Sequence, residues 1–407
     1  MTKKAIILLA TVSALHAGTP ESAPIIPPPA TAQWIKLLID IRARYEYADI
    51  VGADDSNAFT IRERFGLQTM SWYGFSALVE GEFSQAIGDD YHGGAAGATP
   101  FDPTQSVIAD PETNELNQAF LQYSGYDMVA KFGRQRIIYD NSAFIGNVGW
   151  RQNEQTYDAI ALSGTWIDSL TLNYAYIDRV NRIFGSDASG NAGSLNSEVH
   201  ALNLSYTGIE GLKLGGYAYI MKFATLPAWD NSTFGVSASG KLHGLDLYGE
   251  VAWQDDAGAA GISEALYFHA TATKSLFENQ SMTFGIESLG AGFKTPLATL
   301  HAFNGFADAF IGGRAGGGHN GLTDTYVSYS MPIFWGMKWI NVLHAFGDNE
   351  ISTGYGWEYD SVLVKKFDEN FSALAKFAYF DGGSDPFAGA AVLADTTRFS
   401  IQLDYKF

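Results

Sequence analysis

The 407-residue chain contains no cysteine. It has no disulfide framework and no thiolate metal site, and the absence suits a compartment in which stray thiols oxidise. Basic residues are scarce: 25 Lys and Arg stand against 44 Asp and Glu, a formal net charge of −19. Nucleic-acid binders displace counterions with a basic surface, so that class is excluded. Past the N-terminus no uncharged apolar run approaches the roughly 20 residues of a spanning helix. The His-Glu-x-x-His metal spacing is missing, eight histidines are scattered, and no G-x-S-x-G turn stands out. His301 beside Asn304 and Asp308 is the one grouping that invites a catalytic reading, but no nearby serine has nucleophile context. No catalytic residue, cofactor or metal is therefore expected.

What the chain does have is alternation. In the last twelve residues Phe399, Ile401, Leu403, Tyr405 and Phe407 share one face of a strand, while Arg398, Ser400, Gln402, Asp404 and Lys406 share the other. Near the start, Ile35, Leu37, Ile39, Ile41, Ala43 and Tyr45 oppose Lys36, Asp40, Arg42, Arg44 and Glu46. About eighteen such segments recur, each of roughly the 9–12 residues that a tilted strand needs to cross a bilayer. A barrel spends only alternate residues on lipid, so its average hydropathy looks soluble.

The connections alternate as well. Short ones such as Ser124-Gly125-Tyr126, Thr207-Gly208-Ile209-Glu210 and the stretch 240–244 behave as hairpin turns. Between them fall long polar or glycine-rich stretches at 86–114, 137–155, 179–197, 289–322 and 381–395. Short periplasmic turns and long outer loops are the asymmetry of a transmembrane barrel. The expected fold is all-β: a transmembrane antiparallel β-barrel of about 18 strands over residues 33–407. Residues 1–17 read as a secretory signal peptide, with Lys3 and Lys4 before an apolar stretch and Ala17 at the cut. Residues 18–32, rich in proline, read as a linker. The expected location is the outer membrane of a Gram-negative cell. The expected partners are its lipid, the barrel-insertion machinery through Phe407, and an anionic solute or polysaccharide.

The pattern has exceptions. Glu63 falls on the lipid-facing parity, and Arg134 and Arg136 share parity with Met128, Ala130 and Phe132. Either the strands leave the hydrocarbon there or a bulge near Gly133 resets the register. Trp34, Tyr47, Trp72, Trp166, Trp253, Trp335, Trp339, Trp357 and Tyr405 sit where interfacial girdles are expected. The Gly-rich pieces 93–97 and 312–318 follow no phosphate-loop pattern and read as mobile loop tips.

Arg42, Arg44, Arg62, Arg64 and Arg398 are the inward-facing basic set. They either draw anions through the lumen or pair with Asp40, Glu46, Glu80, Glu82 and Asp404 to stiffen the wall. The stretch from Gly133-Arg134-Gln135 through Trp150-Arg151-Gln152-Asn153 to Tyr157-Asp158 is dense in arginine, amides and aromatics. It resembles the signature region of the alginate-export family of outer-membrane barrels. So does Thr295 to Phe310 followed by Gly321 to Tyr326, although that family tends to carry Trp at the position of Phe306 and Lys near Ala302 and Ala309.

The resemblance implies an eighteen-stranded barrel with an electropositive conduit. The family's type member passes an anionic polysaccharide of uronic acids. On that resemblance Arg134, Arg136 and Arg151 are candidates for a constriction made by an infolded loop. Gln135, Gln152, Asn153, His301, Asn304 and Asp308 would hold the loops or contact sugar hydroxyls. The expected function is passive diffusion of anionic solutes or a uronic-acid polymer through an Arg-lined pore. A general small-solute porin and a non-transport adhesin or structural barrel are the alternatives.

Overall fold

A computed structural model describes residues 34–255, 264–349 and 354–407. The expected signal peptide and linker lie outside the described residues. Eighteen antiparallel strands follow one another around a single sheet. The first nine are β1 (Ile35–Ile50), β2 (Ser56–Thr69), β3 (Phe75–Ala86), β4 (Thr113–Gly125), β5 (Met128–Gln135), β6 (Thr156–Ile167), β7 (Leu170–Asn181), β8 (Ser194–Ile209) and β9 (Leu212–Phe223). The second nine are β10 (Asn231–Leu242), β11 (Leu245–Asp255), β12 (Ala265–Ser275), β13 (Ser281–Leu289), β14 (Leu322–Pro332), β15 (Lys338–Gly347), β16 (Gly354–Lys366), β17 (Phe371–Gly382) and β18 (Thr396–Lys406). β18 returns to β1 in unbroken register from Asp40↔Lys406 to Ile50↔Thr396, which closes the barrel. Closure removes the sheet edges, so no ladder group is left to face lipid unpaired.

Each strand sends alternate side chains out and in. Phe65, Val79, Leu121 and Phe284 are exposed on the outer face, where lipid replaces water as the solvent for apolar groups. One end of the barrel carries tight turns at 126–127, 168–169, 210–211 and 243–244, and the other carries the loops. Trp34, Trp72, Tyr126, Trp166 and Trp335 ring the turn end and are all exposed. This is the arrangement of an interfacial girdle, in which a ring with a polar edge sits between apolar and wet phases.

No bulge resets β5 at Gly133: the pairings with β4 and β6 run through it without a shift. The strand instead ends at Gln135, so Arg136 already belongs to the following loop. Glu63 opposes Ile41 and Phe83 in unbroken register and stays on the outer face, without an ion-pair partner among the described residues.

A barrel of this strand number encloses more space than its wall side chains fill. Loop 3 (residues 136–155) and loop 7 (residues 290–321) turn into that space. They join through a parallel bridge between Ile145 and Leu297, with the Gly146 amide donating to the Leu297 carbonyl (2.9 Å) and the Thr299 amide to the Ser142 carbonyl (3.0 Å). Gly146 is required at this seam, because a Cβ there would stand 2.2 Å from the Thr299 hydroxyl oxygen. Phe144, Ile145, Phe293, Leu297 and Phe310 form an apolar core with the inward tyrosines of β9 and β12. Phe144 meets the rings of Tyr217 and Tyr267 with centroids 5.1 and 5.3 Å apart.

The glycine-rich piece 312–318 is not a mobile tip. It forms most of α1 (Ile311–Gly316), whose Arg314 is buried, and Gly317 caps it at φ +70° where a Cβ would meet the Gly292 carbonyl at 2.4 Å. Gly93, Gly94 and Gly97 likewise sit in close contact with neighbouring chain. Here glycine serves close backbone approach rather than motion.

Replacing Phe284 on the outer face with Lys should cost about 2–4 kcal/mol of barrel stability near the bilayer midplane. Heat-modifiable gel mobility and urea unfolding in lipid measure this; a stability equal to wild type would show that β13 does not face lipid.

Candidate functional site

Strand parity brings Arg42 and Arg44 of β1, Arg62 and Arg64 of β2, and Arg398 of β18 to the lumen side, all buried. None of them stands open. The Arg42 Nε donates to Asp404 (2.8 Å), and its Nη1 to the Trp150 carbonyl (2.9 Å). Arg44 pairs with Asp110 (2.8 Å) and donates to Gln402 Oε1 (2.7 Å) and to the Trp150 carbonyl. Arg62 is paired with Asp40 and Arg64 with Glu82. Arg398 reaches Glu46 (3.3 Å) and donates from Nε to the Ala307 carbonyl (2.9 Å). A charge withdrawn from water without a partner costs several kcal/mol, so the wall is built as a matched ladder. Among the described residues Arg62 leaves two buried guanidinium nitrogens, Nε and Nη1, without a hydrogen-bond partner, and Arg64 leaves Nη2.

Loop 3 is clamped by the same chemistry. Arg136 pairs with Glu80 (2.6 Å) and Glu154. Burial opposes the charge on Glu154, but Arg136 and Arg64 outweigh it and hold the carboxyl down at about 2. Arg151 joins three elements, reaching Asp308 of loop 7 (2.7 Å) and Glu46 of β1 (3.3 Å). The Gln152 amide donates to Asp110 (2.7 Å) and its side chain to Thr60 Oγ1 (2.8 Å). Asn153 donates to the Ile183 carbonyl (2.9 Å), and Gln135 to the Ala159 carbonyl (3.1 Å). Asn304 donates to Glu287 (2.9 Å) and accepts from Arg314 Nη1 (2.6 Å). These amides are spent on packing loops against the wall. Arg134 is not with Arg136 and Arg151. It lies on the outward parity of β5, in a two-pronged pair with Asp158 (2.7 and 3.0 Å) near the loop end.

A narrow gap lies where loops 3 and 7 approach β17 and β18. Glu46, Trp150, His301, Phe306, Lys376, Arg398 and Ser400 line it, and its free volume of about 10 Å³ holds roughly one water molecule. The Trp150 ring lies 4.0 Å from the Arg44 guanidinium and 3.5 Å from the Lys376 ammonium, and stacks on His301 at 4.7 Å. Lys376 also lies 3.8 Å from the centre of the Phe306 ring. Its Nζ approaches His301 Nε2 at 2.7 Å, and His301 Nδ1 approaches Asp308 at 2.6 Å. These partners fix a neutral imidazole, with Nδ1–H donating to the carboxylate and Nε2 accepting from the ammonium. Among the described residues Lys376 has no carboxylate within ion-pair distance. Burial is the main cause that lowers His301, to about 3. Burial alone would raise Asp308, but His301, Arg151 and Arg398 hold it well below the usual carboxylate range.

Two cations of the lumen were not legible as site residues. Lys376 is the lone charge on the inward parity of β17, among Leu374, Ala378 and Phe380, and that isolation was its signal. Arg314 sits inside the glycine-rich piece and makes two 2.9 Å contacts with Glu287, with its guanidinium 4.4 Å from the Phe303 ring. It supplies loop 7 with a cation where Ala302 and Ala309 do not.

A closed eighteen-stranded barrel whose lumen is narrowed by infolded, charge-clamped loops defines an outer-membrane channel. The chain belongs to the alginate export family, whose sequence profile matches residues 33–274. The Gly133–Asp158 signature lies inside the matched range and the Thr295–Tyr326 segment beyond it. Among solved structures, the chain is similar to Pseudomonas aeruginosa OpdO at 14% identity, with 92% of this chain and 97% of that one covered and a TM-score of 0.67. It is similar to P. aeruginosa OpdK with vanillate at 11% identity, covering 91% and 99%, TM-score 0.67. Acinetobacter baumannii OccAB4 aligns at 12% identity over 93% and 100%, TM-score 0.66. At these identities the likeness is one of fold. No curated protein matches the sequence.

The buried neutral His301 makes stability depend on pH. Its folded pKa lies below the unfolded value of 6.5, so the unfolded chain binds the proton first as pH falls. Stability is full above 6.5 and should fall by roughly 1.4 kcal/mol per pH unit between there and about 3. Asp308 adds a loss of the same sign at lower pH, since its depressed pKa stabilises the fold only while it is ionised. Urea unfolding across this range should show a shallower slope in His301→Asn; an equal slope would remove His301 from the linkage.

Proposed function

We propose that the protein is a passive outer-membrane channel for small anionic solutes, carboxylates above all, which pass between loop 3 and the β17–β18 wall. Residues 1–17 would direct export, and Phe407 would present the final strand to the insertion machinery. Lys376 carries the reading. The wall arginines are cancelled by Asp40, Glu46, Glu82, Asp110 and Asp404, so they contribute little net field to the lumen. Lys376 stands in this gap against a neutral imidazole and two aromatic faces. Ring faces stabilise an ammonium without neutralising it. A carboxylate entering the gap would meet an ammonium that has no carboxylate at ion-pair distance among the described residues. Conduction needs sites attractive enough to enter and weak enough to leave, and a single lysine shielded by ring faces meets that condition. Vanillate, present with OpdK, is an aromatic carboxylate, a class that suits a lysine between a tryptophan and a phenylalanine. In this reading Arg42, Arg44, Arg64, Arg136, Arg151 and Arg398 hold the wall and loops in place.

Family membership favours a second reading, passage of a uronic-acid polymer. A gap that holds about one water passes neither an aromatic carboxylate nor a sugar ring until side chains such as Lys376 and Trp150 swing aside. A polymer further requires loop 3 to leave the lumen and break the Arg136 and Arg151 pairs.

Planar-bilayer recording tests both. Lys376→Gln should lower the anion-over-cation permeability ratio severalfold; an unmoved reversal potential would take Lys376 out of the path. Stronger block by alginate than by a neutral glucan would favour the polymer, and equal block the small solute. A protein that never conducts would return the adhesin or structural barrel.

A further inference from the structure

The barrel wall is not of even height. The last β5 residue to pair with β4 is Arg134, opposite Ala119, and β5 ends with Gln135 opposite Tyr157 of β6. β4 continues to Thr113 with β3 as its only strand partner. Loop 4 (residues 182–193) leans over this step. The Ser186 amide donates to Glu115 Oε1 (2.6 Å), and the Ser189 amide to the Ala96 carbonyl (2.7 Å). Beneath loop 4 lies a cavity of about 280 Å³, separate from the gap at Lys376. Arg134 and Arg179, on the outward parity of their strands, and Arg182 of loop 4 all line it.

Charge matching sets this cavity apart. Every other arginine among the described residues has a carboxylate within ion-pair distance, whereas Arg179 and Arg182 have none. Arg179 Nη2 donates to Ser194 Oγ (2.7 Å), and Arg182 Nη1 to the Asn191 carbonyl (2.8 Å). Both acceptors are neutral. Burial lowers the Arg182 guanidinium to about 10, which leaves it charged at neutral pH. On the acidic side, Glu154 is matched by Arg136 and Asp158 by Arg134. That leaves Glu115 alone against two guanidiniums, and the remaining lining is rich in hydroxyls and amides.

We propose that this cavity is a binding site for a sugar-linked phosphate, its oxygens taken by Arg179 and Arg182 and its hydroxyls by Asn117, Asn181, Ser186 and Ser194. A phosphate monoester presents three acceptor oxygens, enough to engage both guanidiniums together. Its lining joins the outward Arg134 and Arg179 to Asn153 and Glu154 of the infolded loop 3, so the site spans the step in the wall at the loop end, where head groups of the outer leaflet meet the barrel. The phosphate therefore belongs either to a glycolipid head group or to a free sugar phosphate.

Two probes separate these sources, each applied to the full chain and to Arg179→Gln/Arg182→Gln. Glucose 1-phosphate is titrated calorimetrically against protein in detergent. Lipid A and its dephosphorylated form are offered in nanodiscs, and the lipid that co-purifies is counted by mass spectrometry. The double variant should bind at least tenfold more weakly than wild type in the responding arm, with unchanged heat-modifiable mobility and conductance. A response to glucose 1-phosphate alone identifies a free solute, a phosphate-dependent response to lipid A alone a head group, and a response in both the shared chemistry. Absence of binding in both arms, or equal binding by variant and wild type, would overturn the proposal.

Discussion

Everything in this barrel depends on one constraint: charges carried into the lumen must be matched there. Eighteen strands enclose more space than their side chains fill, and the loops that fill it bring polar backbone and ionic groups with them. The tyrosine-lined half of the wall receives the apolar side of loops 3 and 7. The arginine-lined half receives their carbonyls and carboxylates. Arg44 illustrates the requirement, since its guanidinium is met at once by Asp110 of the β3–β4 connection, Gln402 of β18 and the Trp150 carbonyl of loop 3. Removing one partner strands the others, so wall and loops hold or fail together.

The same matching changes what the arginines mean for transport. A row of lumen arginines suggests an anion conduit only while each is considered alone. Paired, they become fixed dipoles that set the shape of the lumen more than its potential. Among the described residues Lys376, Arg179 and Arg182 have no carboxylate at ion-pair distance. Lys376 stands against an imidazole and two ring faces inside the barrel, and Arg179 and Arg182 donate to neutral acceptors at the loop end.

The wall was legible in the sequence because a strand residue has two directions only, and the solvents on the two sides differ. Ile401 and Gln402 could not exchange places. The short and long connections were legible for a similar reason, since turn chemistry is local. The infolded loops were not. Arg136–Glu80 and Arg44–Asp110 join residues far apart in the chain, and local spacing carries no record of them. The arginine and amide residues of the signature region could be seen to be too polar for an idle loop, but their partners could not. Parity did mark Arg134 as anomalous, and its place opposite Asp158, outside the lumen, explains the anomaly. The glycines of 312–318 misled because a residue without a side chain serves mobility and tight packing equally well in a sequence, and only neighbours such as Phe387 separate the two.

In the proposed channel solute follows the arginine-lined wall while loops 3 and 7 stay joined as fixed filling. The natural chain has no cysteine, so Ile145→Cys/Leu297→Cys would place one thiol pair across the seam between the loops. Single-channel conductance before and after oxidation is the direct test. The same conductance is expected in both states. Loss of current on cross-linking, restored by reduction, would mean that the path runs between the loops or needs them to part.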